Sequence, residues 1–443
     1  MVRHLLNAST LLRSISRLPP HHATTRTLLT KNTDSVSKGH LYAQAMYPEP
    51  TEARLDVHCD PSNPRTLSFD RVKEAAIAIK KADPHKFEGG VMHTELRHSF
   101  LISNRAEKDV HLKMELNQIT GSFKERGGRF ALHNLTDEQK KAGVFAASAG
   151  NHALALCWHG KQMGVPITVC MPRYINGYDH VDVLAGAGTI GIEILEQLDN
   201  VDAIVVPVGG GGLIAGIAVA VKALKPSVEI IGVESTLTAS MKNALEQGAP
   251  VPTKISPTLA DGLAVSVVGV NSFHNAKGKI DRMITVEEAD IAVAVLRLIE
   301  LEKVVPEGSG ACGVAAILSG QLDDLKGRRV ATIVSGGNID STALNRCIER
   351  GMAHDHRLIR FSVVVSDRCG AINELSQFIA DLGVSIKDMD TDRPYQRHDI
   401  FSVRVNIIAE TRGFEHAEKL NKALLKRYGQ VDAVFKHMPY MAK

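Results

Sequence analysis

Cysteine is sparse in this 443-residue chain, and the six present, Cys59, Cys157, Cys170, Cys312, Cys347 and Cys369, include no CxxC pair. That scatter argues against a disulfide frame or a paired-cysteine zinc site and reads as reduced thiols in an intracellular protein. No apolar run approaches the 18 residues of a membrane span, so no membrane-spanning segment is expected. A charge surplus is also missing: the formal net charge is +3, with 52 basic against 49 acidic side chains. Without a clustered basic face there is no support for a nucleic-acid partner. Acidic residues are absent from Met1 to Asn32, where Arg3, Arg13, Arg17, Arg26 and Lys31 recur among Ser, Thr and Leu. Such a segment reads as an organelle transit peptide with a mitochondrial destination, the alternative being a disordered basic tail on a cytoplasmic protein, and residues 1–40 are left out of the fold in either case.

What remains has an ordinary globular balance, 44% apolar and 23% charged, enough for a real core and two or three domains. Phe69–Lys81 carries Val72, Ala75, Ala76 and Ile79 on one helical face. From Val110 short apolar strands alternate with helices. Val110–Met114, Gly143–Ala147, Pro166–Met171, Ala203–Pro207, Ile230–Glu234 and Arg329–Val334 read as buried strands. Asn151–Met163, a stretch around Gly188–Leu198, and Leu213–Leu224 read as helices. This alternation indicates an α/β fold with a parallel or mixed sheet and helices on both faces. After a linker at 352–357 the pattern becomes βαββαβ, the ferredoxin-like α+β unit. Its expected elements are Phe361–Val365, Ala371–Leu382, a strand alternating through Phe401, Val403, Val405 and Ile407, His416–Tyr428, and Gln430–Lys436. The expected organisation is a catalytic domain at 41–351, with a small subdomain at about 130–177, and a second domain at 352–443.

Four segments carry chemistry. Thr120–Gly127 reads TGSFKERG and places Lys124 after a Gly–Ser turn at a helix start. A lysine partly desolvated there can condense with an aldehyde, although an isolated lysine is usually a surface residue. Ser148–Ala153 reads SAGNHA, and Asn151 offers an amide to an oxygen ligand; helix capping explains a lone SAGN equally well. Val208–Gly216 reads VGGGGLIAG, with Gly209, Gly210, Gly211 and Gly212 between strand and helix. Bare N–H groups at a helix N-terminus suit a phosphate monoester. The loop lacks the Lys–Ser/Thr of a P-loop and the GxGxxG spacing, so neither ATP nor NAD is indicated. Ser335–Asn338 reads SGGN after the last strand of the domain, where Ser335 can present a hydroxyl to a ring nitrogen or an anion; a helix-capping turn explains a lone SGGN equally well.

In order and content these four motifs resemble the fold-type II (tryptophan synthase β-like) pyridoxal-phosphate enzymes, over roughly Arg65–Arg350, and most closely their L-threonine/L-serine ammonia-lyase (threonine dehydratase) branch. The resemblance implies that Lys124 holds pyridoxal 5'-phosphate covalently and that Phe123 lies under its ring. By the same resemblance Asn151 bonds the ring hydroxyl oxygen, Gly209 to Gly212 cradle the phosphate, and Ser335 contacts the ring nitrogen. Ser148, Gly150 and His152 would line the substrate carboxylate loop. The implied reaction is α,β-elimination of threonine or serine to 2-oxobutanoate or pyruvate and ammonia, in amino-acid catabolism or isoleucine biosynthesis.

The nearest rival is a serine racemase, which shares the fold and cofactor. Racemases carry a serine where this chain has Ala149, a residue unable to move a proton, so Ala149 favours the lyase. Their cation site is matched only by Glu234, since Ser240 stands where they carry a carboxylate. Glu234 is therefore a candidate cation ligand, the alternative being a strand-end surface carboxylate. The tail resembles an ACT domain through SDRCG at Ser366–Gly370, which implies a homo-oligomer (dimer or tetramer) and an amino-acid effector. One break matters. After Pro166–Met171 only Pro172 and Arg173 precede Tyr174, whereas a parallel neighbour needs a crossover of a dozen or more residues. A segment of the family's small domain is missing there, which raises a third reading, a catalytically impaired relative.

Overall fold

The computed structural model describes residues 59–79, 90–146, 150–169, 176–393, 400–429 and 433–435. The basic N-terminal segment, Cys170, Ser148, Ala149 and the Arg173–Tyr174 join lie outside them. Among the described residues the strands are β1 Leu96–His98, β2 Asp109–Lys113, β3 Val144–Ala146, β4 Ile167–Val169, β5 Ala203–Pro207 and β6 Glu229–Ser235. They continue with β7 Arg282–Val286, β8 Arg329–Ile333, β9 Leu358–Ser366, β10 Ser385–Asp392, β11 Ser402–Glu410 and β12 Ala433–Phe435.

The large sheet has the order β1-β2-β8-β5-β6-β7, parallel throughout except for the antiparallel edge strand β1. Strand β5, AIVVP, is buried at every position because helices cover both faces. Its alternate residues feed two cores. Ile204 and Val206 pack with the helices Val181–Gln197 and Gly212–Leu224. Ala203 and Val205 pack on the other side with Glu288–Arg297 and Gly308–Leu318. The N-terminal helix, Phe69–Ile79, buries Val72, Ala75, Ala76 and Ile79, the stripe its spacing predicts.

The small subdomain is much thinner. Strands β3 and β4 form a two-stranded parallel sheet beside the helix Asn151–Met163. Among the described residues its core is Leu132, Val144, Ala146, Ala153, Leu156 and Val165. The expectation of a buried strand at Pro166–Met171 is corrected: β4 spans three residues, and Val169 is 52% exposed. Phe145 and Leu154 are likewise 49% and 42% exposed. Apolar residues stand open on this sheet because too few neighbours cover them.

The C-terminal sheet has the order β10-β11-β9-β12, all antiparallel, with helices Ala371–Asp381 and Phe414–Tyr428 packed on its core. Val403, Val405 and Ile407 point inward as their alternation predicts, but Phe401 precedes the strand and is exposed. The expected linker is also corrected. Met352 to His354 finish the helix Ser341–His354, and only Asp355 to Arg357 connect it to β9. That short junction is fastened by Arg297 to Asp355 and by Arg357 to Glu300 at 2.7 Å.

Candidate active site

The cavity opens at the carboxyl ends of β5 and β8, where α/β sheets bind their ligands. The chain leaves β2, makes the Gly121–Ser122 turn and starts the helix Lys124–His133 with Phe123 as its cap. Ser335 lies two residues past the end of β8. The two loops are stitched together: Phe123 N–H donates to the Ser335 carbonyl at 3.0 Å, Gly337 N–H to Gly121 at 2.9 Å, and Asn338 Nδ2 to Thr120 at 2.7 Å. This ladder brings two motifs more than 200 residues apart in sequence onto one wall.

Beneath them lies a buried charge cluster. Arg126, two residues after Lys124, donates to Glu115 at 2.7 and 2.8 Å and to Glu193 at 2.6 and 2.8 Å. Lys113 Nζ reaches Glu193 at 2.6 Å. Burial alone would lower the Arg126 pKa, but the two carboxylates hold it above its ordinary value. Two cations thus meet two anions. Removing one member would strand a buried charge, at about 3–5 kcal/mol. The cluster fixes the helix that carries Lys124 against Val181–Gln197.

A cavity of about 490 Å³ is lined by Phe123, Lys124, Gly150, Asn151, His152, Gly209 to Gly212 and Ser335. Every site residue expected from sequence therefore lies on one cavity, apart from Ser148, outside the described residues, and Glu234. Lys124 Nζ donates to the Gly177 carbonyl at 2.6 Å and lies 5.0 Å from the Phe123 ring centre. Burial lowers its pKa from 10.5 to about 8, against the opposing pull of Glu307. About a tenth of the amine is then neutral at pH 7, against well under a thousandth for an ordinary lysine.

Other wall residues were not foreseen: Asn176, Gly177, Tyr178, Glu307 and Ser309. Glu307 accepts from Asn151 Nδ2 at 3.0 Å through both oxygens, while Asn338 Nδ2 donates to Asn151 Oδ1 at 2.7 Å. The Asn151 amide is thus held at both ends. Burial, reinforced by the charge of Asp261, raises the Glu307 pKa, while the Asn151 hydrogen bond opposes it. The Pro306–Glu307–Gly308 turn before a helix was the available signal for Glu307, but many helices start with a glutamate. Tyr178 sits in a segment tied to Val270–Ala276, its carbonyl accepting from Ser272 Oγ at 2.5 Å.

The residues fit a phosphorylated ring aldehyde. At Gly210 an added Cβ would lie 2.2 Å from the Tyr178 ring, and Gly211 has φ +93°, so the loop tolerates side chains poorly at both positions. The loop opens the helix Gly212–Leu224, an anion-favouring end. Ser309 Oγ is buried on the cavity wall with no hydrogen-bond partner among the described residues. It is a polar atom that a bound group could satisfy.

Glu234 is elsewhere and fully buried, which corrects the surface-carboxylate alternative. Its oxygens accept from Met241 N–H at 2.7 Å and Lys242 N–H at 3.0 Å, at the start of the helix Ser240–Gln247. Burial raises its pKa to about 7. Among the described residues it joins no group of three side chains able to hold a metal.

The family model described as "Pyridoxal-phosphate dependent enzyme" matches residues 87–176 and 172–336. The chain belongs to this pyridoxal-phosphate dependent enzyme family. An L-threonine ammonia-lyase of Thermotoga maritima is 35% identical over 409 residues, covering 83% of this chain and 100% of the relative. The processed form of threonine deaminase isoform 2 from Solanum lycopersicum superposes with a TM-score of 0.57 at 28% identity, over 68% of this chain and 98% of that one. A serine racemase from Dictyostelium discoideum gives 0.56 at 30% identity, over 62% and 100%. The Thermotoga alignment runs over 409 positions but uses 83% of 443 residues, about 368, which leaves about forty positions without a counterpart here. The family match breaks at 172–176, the Arg173–Tyr174 join.

Proposed function

We propose that this chain is an L-threonine/L-serine ammonia-lyase, forming 2-oxobutanoate or pyruvate with release of ammonia. The observation that carries the reading is the convergence of Lys124, Asn151, Gly209 to Gly212 and Ser335 on one cavity, with the Lys124 amine partly neutral. Coverage favours the lyase over the racemase. About 368 aligned residues exceed the 357 preceding β9, so the ammonia-lyase alignment enters the C-terminal domain. The racemase is matched in full by 62% of this chain.

In this reading Lys124 Nζ anchors the cofactor, Gly209 to Gly212 take its phosphate, and Ser335 meets the ring nitrogen. Asn151, clamped by Glu307 and Asn338, meets the ring hydroxyl oxygen. When bound, pyridoxal phosphate supplies the electron sink for α-proton removal. With its amine free, Lys124 Nζ would be the base that accepts this proton; a base near the working pH is efficient. The Phe123 ring and Leu263 keep that wall apolar and limit water.

Product and pH test this together. Reconstituted protein should convert L-threonine to 2-oxobutanoate and ammonia, and L-serine to pyruvate with little D-serine. D-serine as the main product would reverse the assignment. The apo-protein should take up pyridoxal phosphate faster as pH rises toward about 8 and level off above it, because only the neutral amine attacks an aldehyde. Uptake still rising toward 10.5 would show an ordinary lysine.

The C-terminal sheet is proposed as a regulatory, self-pairing domain that takes an amino-acid effector. Its supports are the βαββαβ order and the four-stranded antiparallel sheet. Truncation after Arg357 spares the helix Ser341–His354, whose buried Cys347 and Gly351 belong to the catalytic domain. The truncated protein should keep pyridoxal-phosphate binding, lose any amino-acid effect on rate and form a smaller oligomer. An unchanged effector response would place regulation elsewhere.

A further inference from the structure

The opposite end of the large sheet carries a second cluster. His98 on β1 faces His111 on β2 as a direct antiparallel pair, with ring centres 5.0 Å apart. Asp109, two residues before His111, shares its face. The two imidazole Nε2 atoms converge on one oxygen: His98 Nε2 is 3.2 Å and His111 Nε2 2.9 Å from Asp109 Oδ1. All three ligand atoms lie within 4.8 Å of one another. The other carboxylate oxygen, Oδ2, accepts from Arg329 Nε at 2.8 Å. Strand β8 runs from Arg329 to the loop bearing Ser335, about 20 Å at roughly 3.3 Å per residue, so the cluster is remote from the cavity.

We propose that His98, Asp109 and His111 bind one divalent transition-metal ion, zinc by ligand type, which fastens the edge strand β1 to β2. Two imidazoles and a carboxylate are zinc's ordinary nitrogen and oxygen donors. With bonds near 2.0–2.2 Å in a tetrahedron, neighbouring ligand atoms sit about 3.4 Å apart. The observed 2.9 and 3.2 Å need to open by only a few tenths of an ångström. Arg329 holds the carboxylate so that Oδ1 is presented, the usual role of an outer hydrogen bond to a ligand. The His111 side chain is only 13% exposed, so its ring is held in place beside Asp109. The fourth position is left for water. The bland reading is a histidine–carboxylate hydrogen-bond fan with no ion, and the experiment separates the two.

Dialysed holoenzyme is titrated with Zn²⁺, and bound metal and melting temperature are measured. Wild type should bind one equivalent more than the His98→Gln/His111→Gln variant and gain melting temperature with Zn²⁺, a gain the variant lacks. Co²⁺ should give tetrahedral d–d bands at longer wavelength than the cofactor in wild type alone. Equal stoichiometry and equal melting shifts would overturn the site. His98 is half-exposed, so His98→Gln alone keeps the fold safe. It should weaken Zn²⁺ binding by at least about 10-fold. An unchanged affinity would overturn the proposal as firmly.

Discussion

Replacing Lys124 with alanine is expected to lower L-threonine turnover by at least about 1000-fold, because one side chain supplies both the covalent anchor and the proton acceptor. The fold should survive. Lys124 lines the cavity, and its one described hydrogen bond is to the Gly177 carbonyl. Its pKa is lower in the folded chain, about 8 against 10.5, so folding releases a proton between these values and stability rises with pH across that window. Below about 8 the folded protein bears the cost of a buried charge. The apo-form of Lys124→Ala should therefore melt no lower than wild type at neutral pH. Borohydride reduction of wild type followed by peptide mapping should place the pyridoxyl group on Lys124. Label on another lysine, or turnover within 10-fold of wild type, would overturn the assignment.

The second large effect concerns the small subdomain. A chain carrying the corresponding forty-odd residues of the Thermotoga relative between Arg173 and Tyr174 should melt higher and turn over faster. Among the described residues the sheet β3-β4 has two strands, marginal on its own, with no further strand paired to its edges. Phe145 and Val169 are about half exposed, whereas added strands and helices would cover them. Asn151 begins the helix that packs on this sheet, so its proposed contact with the ring oxygen depends on a domain with six buried core residues among those described. Positional error near 1 Å can cost on the order of 100-fold in rate, and a turnover gain of that order is expected from the graft. Calorimetry and steady-state assays of both proteins decide it. Equal melting temperature and equal turnover would show that the short subdomain is sufficient.

The large-domain motifs were legible because each chemistry has few sequence solutions. Four consecutive glycines between strand and helix have little use except close backbone approach, and a lysine after a Gly–Ser turn stands at a helix start. The helix stripes at Val72, Ala75, Ala76 and Ile79, and the alternation through Val403, Val405 and Ile407, reported burial directly, since one face of each element had to leave water. The short connection after Met171 excludes Tyr174–Gly177 as the parallel neighbour of the strand before it, because two residues cannot carry a chain back along a strand.

Other features came only from the tertiary structure. The helix Val181–Gln197 begins seven residues before its expected start, its glycines hidden against Arg126, Gly127 and Gly216. Glu307 and Ser309 enter the cavity from a helix start that local sequence does not mark as functional. Glu234, a candidate cation ligand or surface carboxylate by sequence, is a buried carboxylate that accepts from the Met241 and Lys242 N–H groups at a helix start. The His98–Asp109–His111 cluster exists only through strand register, since a one-residue slip would turn its members to opposite faces. Sequence by itself determined the backbone chemistry and the apolar periodicities, because these act within a few residues. The partners of charged and polar side chains were decided by folding, because those bonds join segments that composition and spacing do not relate.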